Sequence, residues 1–151
     1  MDKQLRFASL TNAYDNIKLP SRATSGSAGY DFYTPFIIAL TPGQSILIPT
    51  GIRCKIDNGW FLACAPRSGL GFKYRLQLDN TLGIIDSDYY YSANEGHIMA
   101  KITNDSKEGT VLHLLNGARF MQGIFLPYGI TVDEKTETLE TRDGGMGSTG
   151  Q

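Results

Sequence analysis

The chain has 151 residues, 41% of them hydrophobic, with 14 basic against 15 acidic side chains. One domain of that length buries about 70% of its unfolded surface without staples, and a net charge of −1 gives no electrostatic footprint for nucleic acid or an anionic membrane. Met1-Asp2-Lys3-Gln4-Leu5-Arg6 has no apolar leader core and no apolar run approaches the roughly 20 residues of a membrane helix, so the expected location is the cytoplasm, where the chain is made.

Along the chain, apolar residues come in short runs between turn residues, and no 3.6-residue period persists over several turns. Pro42-Gly43 marks a turn ahead of the segment from Ser45 to Ile56, which alternates in part, with Ile46, Ile48, Ile52 and Cys54 as inward candidates. Asn58-Gly59 and Asn116-Gly117 are the pairs that tight hairpins prefer because both central residues take φ > 0. Trp60 and Phe61 follow the first pair and read as core or subunit-interface aromatics. Cys54 and Cys64 have no His or Cys at metal-ligand spacing and read as buried free thiols, since a reducing cytosol would not keep a disulfide. The run from His97 to Thr103 alternates; His97 and His113 have no carboxylate at triad spacing and read as strand-face residues rather than catalysts.

With 17 Gly, 6 Pro and many short strands, the expected class is all-β, a jelly-roll-like barrel or sandwich over residues 1–128. Past Tyr128 the chain turns polar, and Asp133 to Arg142 holds too few apolar residues to pack. Residues 129–151 are therefore expected to form an extended arm with a glycine-rich tip.

Five polar, glycine-rich blocks stand in order: Ser27-Ala28-Gly29-Tyr30-Asp31, Ala65-Pro66-Arg67-Ser68-Gly69-Leu70, Gly83-Ile84-Ile85-Asp86-Ser87-Asp88-Tyr89, Gly117-Ala118-Arg119-Phe120-Met121-Gln122, and Gly144-Gly145-Met146-Gly147-Ser148-Thr149-Gly150. An ordered set is far more specific than any one block. From Ser27 to Gly150 it resembles the trimeric deoxyuridine triphosphatases, which hydrolyse dUTP to dUMP and pyrophosphate.

The resemblance implies a homotrimer with shared sites, magnesium as cofactor, and an arm that orders over nucleotide on a neighbouring subunit. Hydrolysis at an α-phosphorus needs a metal to neutralise the triphosphate, donors on its oxygens, and a base to activate water. Asp86 and Asp88 are two apart and share a face, so spacing does not choose between them; the match to the family motif selects Asp86 as base. The resemblance also implies that a hairpin from Asn80 to Tyr89, including Gly83 and Ile85, holds uracil, and that Tyr89 stacks on deoxyribose and leaves no room for a 2′-hydroxyl.

Arg67, Ser68 and Gly69 are candidate phosphate ligands at a strand end, as is Gln122 by its place in the fourth block. Asp31 corresponds to the acidic residue that orders water around Mg2+, a role that suits an ion keeping several waters. Arg142 is the candidate γ-phosphate ligand, and Met146, Gly147, Ser148 and Thr149 the candidate closing tip, whose backbone N–H groups and hydroxyls can wrap phosphate oxygens.

The pattern departs from the family at three places. Tyr90-Tyr91-Ser92-Ala93-Asn94-Glu95 is inserted before Gly96, which lengthens the loop and offers Tyr90 or Tyr91 as alternatives to Tyr89. Met146 stands where an aromatic usually covers the base, and the gap from Arg142 to Gly144 is tight. Arg75 stands where relatives carry glycine, which implies φ < 0 or a local rearrangement. Two rival functions follow: a dCTP deaminase relative, whose glutamate-centred site is not matched, and a nucleotide-dependent regulatory module that binds a protein partner through the tyrosine-rich loop.

Overall fold

In the computed structural model, residues 4–11 and 17–142 are described. The strands are β1 (Arg6–Ser9), β2 (Tyr30–Tyr33), β3 (Ile38–Leu40), β4 (Ser45–Pro49), β5 (Ile52–Lys55), β6 (Trp60–Pro66), β7 (Leu76–Leu78), β8 (Gly83–Ile85), β9 (Met99–Asn104), β10 (Leu112–Leu114) and β11 (Arg119–Pro127). They form antiparallel sheets in the orders β2-β11-β6-β8, β4-β9-β7, β1-β5 and β3-β10. None of these closes on itself, so the all-β expectation is met as a sandwich rather than a barrel. Among the described residues no helix is long and apolar enough to cross a membrane.

The core lies between the sheets, where Phe32, Ile48, Leu62, Ile102, Leu112 and Phe120 are fully buried, each contributing roughly 1.5–3 kcal/mol by removal from water. Strand β9 shows why the pattern was readable: Ala100, Ile102 and Asn104 face inward while Lys101 faces water. The one polar member of that inward row is satisfied, with Asn104 donating through Nδ2 to Leu40 O and Thr110 O, both at 2.9 Å. Cys54 and Cys64 are both free and buried, as expected. Burial pushes the Cys64 thiol up to about 12, and pushes that of Cys54 up as well.

The glycine turns are real, but their chemistry differs from the expected hairpins. Thr41–Gln44, Asp57–Trp60 and Leu115–Ala118 each close with a backbone hydrogen bond of 3.0 to 3.2 Å, and only the third residue has positive φ: Gly43 at 90°, Gly59 at 88° and Gly117 at 83°. That is the type II pattern, with Pro42 in its preferred place. The mirror-image turn suits two strands that pair with each other, whereas these turns join β3 to β4, β5 to β6 and β10 to β11, which belong to different sheets.

One short helix, α1 (Ser68–Tyr74), was not anticipated. Seven residues with Gly69 and Gly71 among them carry neither strong propensity nor an apolar stripe, and none is buried. Arg75 ends it in the left-handed region, φ 48° and ψ 42°, with its N–H on Leu70 O. Of the two alternatives at Arg75, φ is not negative: the helix needs a left-handed terminal residue, normally glycine, and arginine adopts the conformation while its Nε donates to Asp105 Oδ2 at 2.8 Å. That bond first, and then one from Lys107 Nζ to Asp105 Oδ1 at 3.1 Å, hold the Asp105 carboxyl below the usual range.

Candidate active site

Two clusters of the sequence-predicted residues form, one at the C-terminal end of β6 and one around β8, which pairs with Leu62–Cys64 of β6. At its C-terminal end, the ladder sets Gln122 of the central strand β11 between Asp31 and Ala65, so strands β2, β11 and β6 bring three of the five blocks together. Asp31, whose side chain is 8% exposed, forms an ion pair with Arg67 Nε at 3.2 Å and faces Arg119 Nη1 at 3.7 Å. Gln122 lies close by, its Nε2 3.5 Å from Pro66 O. Ser68 and Gly69 are exposed in the first turn of α1, where backbone N–H groups have no intrahelical acceptor. The cluster is a set of N–H donors around one carboxylate, suited to a polyphosphate. Arg119 was not singled out from the sequence, although it lies in the same block as Gln122, three residues away.

The second cluster surrounds β8. Segment Asn80 to Tyr89 is not a ladder-paired hairpin, because β7 pairs β9 whereas β8 pairs β6. A tight turn with Thr81 at φ 69° links the two sheets instead. The result is a shallow cleft lined by Asn80, Gly83, Ile85, Cys64, Ala100 and Met121 among others. Its walls are apolar and its polar edge is Asn80 with the β8 backbone, the composition of a site for a flat heterocycle.

Asp86 follows Ile85 at the end of β8 and begins a 3₁₀ turn, Ser87–Tyr91. Its carboxylate, like that of Asp88, is more than half exposed, and both pair with the same cation: Arg142 donates through Nη2 to Asp86 Oδ2 at 2.6 Å and through Nε to Asp88 Oδ1 at 2.8 Å. The guanidinium also lies 5.7 Å from the Tyr89 ring. These contacts are within one chain.

The three tyrosines separate. Tyr89 is buried, donating to His97 O at 2.5 Å and accepting from Asn94 Nδ2 at 3.0 Å. Tyr90 lies under the guanidinium of Arg53 at 3.6 Å, and its carbonyl accepts from Arg53 Nη2 at 2.7 Å. Tyr91 packs edge-on to Tyr90 and is 71% exposed. The insertion is thus a hydrogen-bonded loop that holds Tyr89 inward. His97 lies outside β9, not on a strand face as expected: its Nε2 accepts from Gly51 N at 3.0 Å, and burial lowers its pKa.

Within one chain Asp86 lies away from Arg67. Ile85 pairs with Leu62, which puts Asp86 about six residues along β6 from Arg67, or roughly 20 Å at 3.3 Å per residue. Met146, Gly147, Ser148 and Thr149 lie outside the described residues. Among those described, no group of three or more His, Cys, Asp or Glu is gathered to hold a metal.

The dUTPase family model matches residues 15–150. The chain is 36% identical over 150 residues to the deoxyuridine 5′-triphosphate nucleotidohydrolase of Lactococcus lactis, covering 97% of this chain and 99% of the relative. It is 37% identical over 139 residues to the protein of that name from Tolumonas auensis, covering 88% and 87%. Among solved structures, the dUTPase of Streptococcus mutans superposes with a TM-score of 0.72 at 35% identity, covering 83% of this chain and 97% of that one.

Proposed function

Because the chain belongs to the dUTPase family and hydrolyses dUTP, we propose that Asp86 is the base that activates water for attack at the α-phosphorus, releasing dUMP and pyrophosphate. The observation that carries this assignment is the position of Asp86 at the end of the strand that walls the Asn80 cleft. A uracil seated there directs its 5′-phosphates toward the carboxylate. One oxygen of Asp86 is held by Arg142, and Oδ1 is left to accept the water's proton. Asn80 and the β8 backbone read the amide edge of uracil. Tyr89, anchored through its hydroxyl, bounds the deoxyribose and excludes a 2′-hydroxyl.

The triphosphate is held by the other cluster. Arg67, Ser68, Gly69 and Gln122 supply donors to its oxygens, where charge builds in the transition state. Since those residues lie roughly 20 Å from Asp86 along β6, a complete site requires the phosphate cluster of a second copy beside the cleft of the first. A homotrimer with sites shared between subunits satisfies this.

The donor set fits Mg2+ in one way only. Asp31 already faces two guanidinium groups, and among the described residues it belongs to no group of three or more His, Cys, Asp or Glu, so it suits an ion that keeps its waters and takes its other oxygens from phosphates. Mg2+ would neutralise the triphosphate, and Asp31 would hold the ion's water shell rather than the ion itself. We place this reaction in the cytoplasm.

The deciding experiment is pyrophosphate release from dUTP, dCTP, dTTP and UTP. Release from dUTP alone is expected. Ammonia from dCTP would move the chain to the deaminase relatives, and equal turnover of UTP would remove Tyr89 from its role.

A further inference from the structure

The phenol of Tyr89 is gripped by the inserted loop. Its hydroxyl carries one proton, which goes to His97 O at 2.5 Å, so the second partner has to donate, and that partner is Asn94 Nδ2 at 3.0 Å. The other atom of the same amide fixes its orientation. Asn94 Oδ1 accepts from Gly96 N at 3.2 Å and lies 2.7 Å from Ser92 Oγ, and since a backbone N–H is a donor, the atom facing Gly96 has to be the oxygen. The backbone of Tyr89 is tied down as well: its N–H donates to Asp86 O at 3.1 Å, and its carbonyl accepts from Ser92 N at 3.0 Å.

Asn94 belongs to the segment inserted before Gly96, so this grip is added to the block that carries Asp86 and Tyr89. Gly96 shows how closely the segment returns. It has φ 71°, and a Cβ on it would lie 2.7 Å from Tyr90 Cα and 2.8 Å from Tyr89 O. On Tyr90 the carbonyl is held in turn by Arg53 Nη2.

A wall that tells deoxyribose from ribose has to stand still. The two sugars differ by one oxygen atom, and an apolar surface that can yield rejects an added hydroxyl only weakly. The near end of the Tyr89 ring is fixed to the backbone beside Asp86, so release of its far end would let it tilt away.

We infer that Asn94 is a positioning residue for sugar specificity: its amide donates to the Tyr89 hydroxyl and holds the ring where a 2′-hydroxyl does not fit. This rests on the reading of Tyr89 as the wall beside the deoxyribose. The inserted loop then reaches the site through one hydrogen bond.

Asn94→Asp separates that bond from the fold of the loop. The carboxylate keeps the shape and the acceptor toward Gly96, but sets a second acceptor against the Tyr89 hydroxyl. Values of kcat/KM for dUTP, and for UTP at high enzyme concentration, are measured on the wild type, Asn94→Asp, Tyr89→Phe and the double variant, with melting curves beside them. The preference for dUTP is expected to fall about tenfold in Asn94→Asp, the worth of one hydrogen bond, through a gain with UTP. A merely structural defect would lower both substrates together, and that result overturns the inference, as does an unchanged preference. Tyr89→Phe removes the same bond from its other end without touching the loop. It should fall equally, with the double variant falling no further; a second fall as large as the first shows that Asn94 does not act through the hydroxyl. Tyr89→Leu reads the wall itself. If it keeps the preference for dUTP, the reading of Tyr89 fails and the inference with it, whereas a lowered preference there beside an unchanged one in Asn94→Asp sinks the inference alone.

Discussion

Gln122 occupies the space that a side chain on Gly29 would need: a Cβ built there lies 2.4 Å from Gln122 Oε1 and 3.1 Å from its Cβ. The glycine of the first block thus sets the position of the amide of the fourth. Gly29→Ala should push the amide aside without opening the core, because the atom displaced most is the end of a movable side chain. We expect kcat/KM for dUTP to fall by up to about 10²-fold, the cost of a misplaced group near the chemistry, while the thermal midpoint stays within a few degrees. Steady-state kinetics beside a melting curve checks both halves.

Asp86→Asn should leave binding of a non-hydrolysable dUTP analogue nearly intact and lower turnover by roughly 10²–10⁴-fold, the usual worth of a general base. Asp88→Asn should act less, since Asp88 touches Arg142 but does not adjoin β8. Loss of turnover in Asp88→Asn with Asp86→Asn unaffected would reverse the two roles.

Arg75 offers a test of backbone strain isolated from charge. Arg75→Gly and Arg75→Ala both remove the pair with Asp105, but only alanine keeps a Cβ at φ 48°. The glycine variant should be the more stable by about 1 kcal/mol, the cost of the left-handed region for a side chain. Equal denaturation midpoints for the two would show that the site relaxes.

His97 gives a stability that depends on pH. Its folded pKa is lowered from the ordinary 6.5, first by burial, and its Nε2 must stay unprotonated to accept from Gly51. As pH falls through 6.5 the unfolded chain takes up a proton that the folded chain refuses, so the unfolded state binds more protons and stability drops. The stabilisation is therefore complete above 6.5 and is lost toward the lower folded pKa. Denaturant midpoints between about pH 7.5 and 5 should fall more steeply in the wild type than in His97→Gln; parallel curves would assign the acid sensitivity elsewhere.

What was legible in the sequence was whatever depends on local pattern. Ala100, Ile102 and Asn104 alternate inward because a strand has period two, and the glycine turns were placed correctly because φ near 90° is nearly a glycine property. Their type was misjudged because it depends on whether the flanking strands pair, which is a property of the whole sheet order. Helix α1 was missed because only Leu70 and Tyr74 of its seven residues pack against the core, too few to mark an apolar period. For the candidate site, block matching singled out Asp31, Arg67, Gln122 and Asp86, but spacing along the chain carries no sign of how far apart β6 holds the last from Arg67. Arg119 passed unnoticed beside Gln122, and the bridge from Arg142 to Asp86 spans 56 residues, a contact that no local reading reaches.

The two buried thiols give the molecule a built-in pair of clocks. Neither is appreciably ionised near neutral pH, and a thiol reagent attacks the thiolate, so modification has to wait for an opening of the fold and its rate counts openings. Both belong to the same buried core, Cys54 on β5 and Cys64 on β6, and of the two Cys64 also lines the Asn80 cleft. Nucleotide filling the cleft should slow the second more than the first, so the ratio of the two modification rates, read by mass spectrometry, would report occupancy of the pocket without any measurement of turnover.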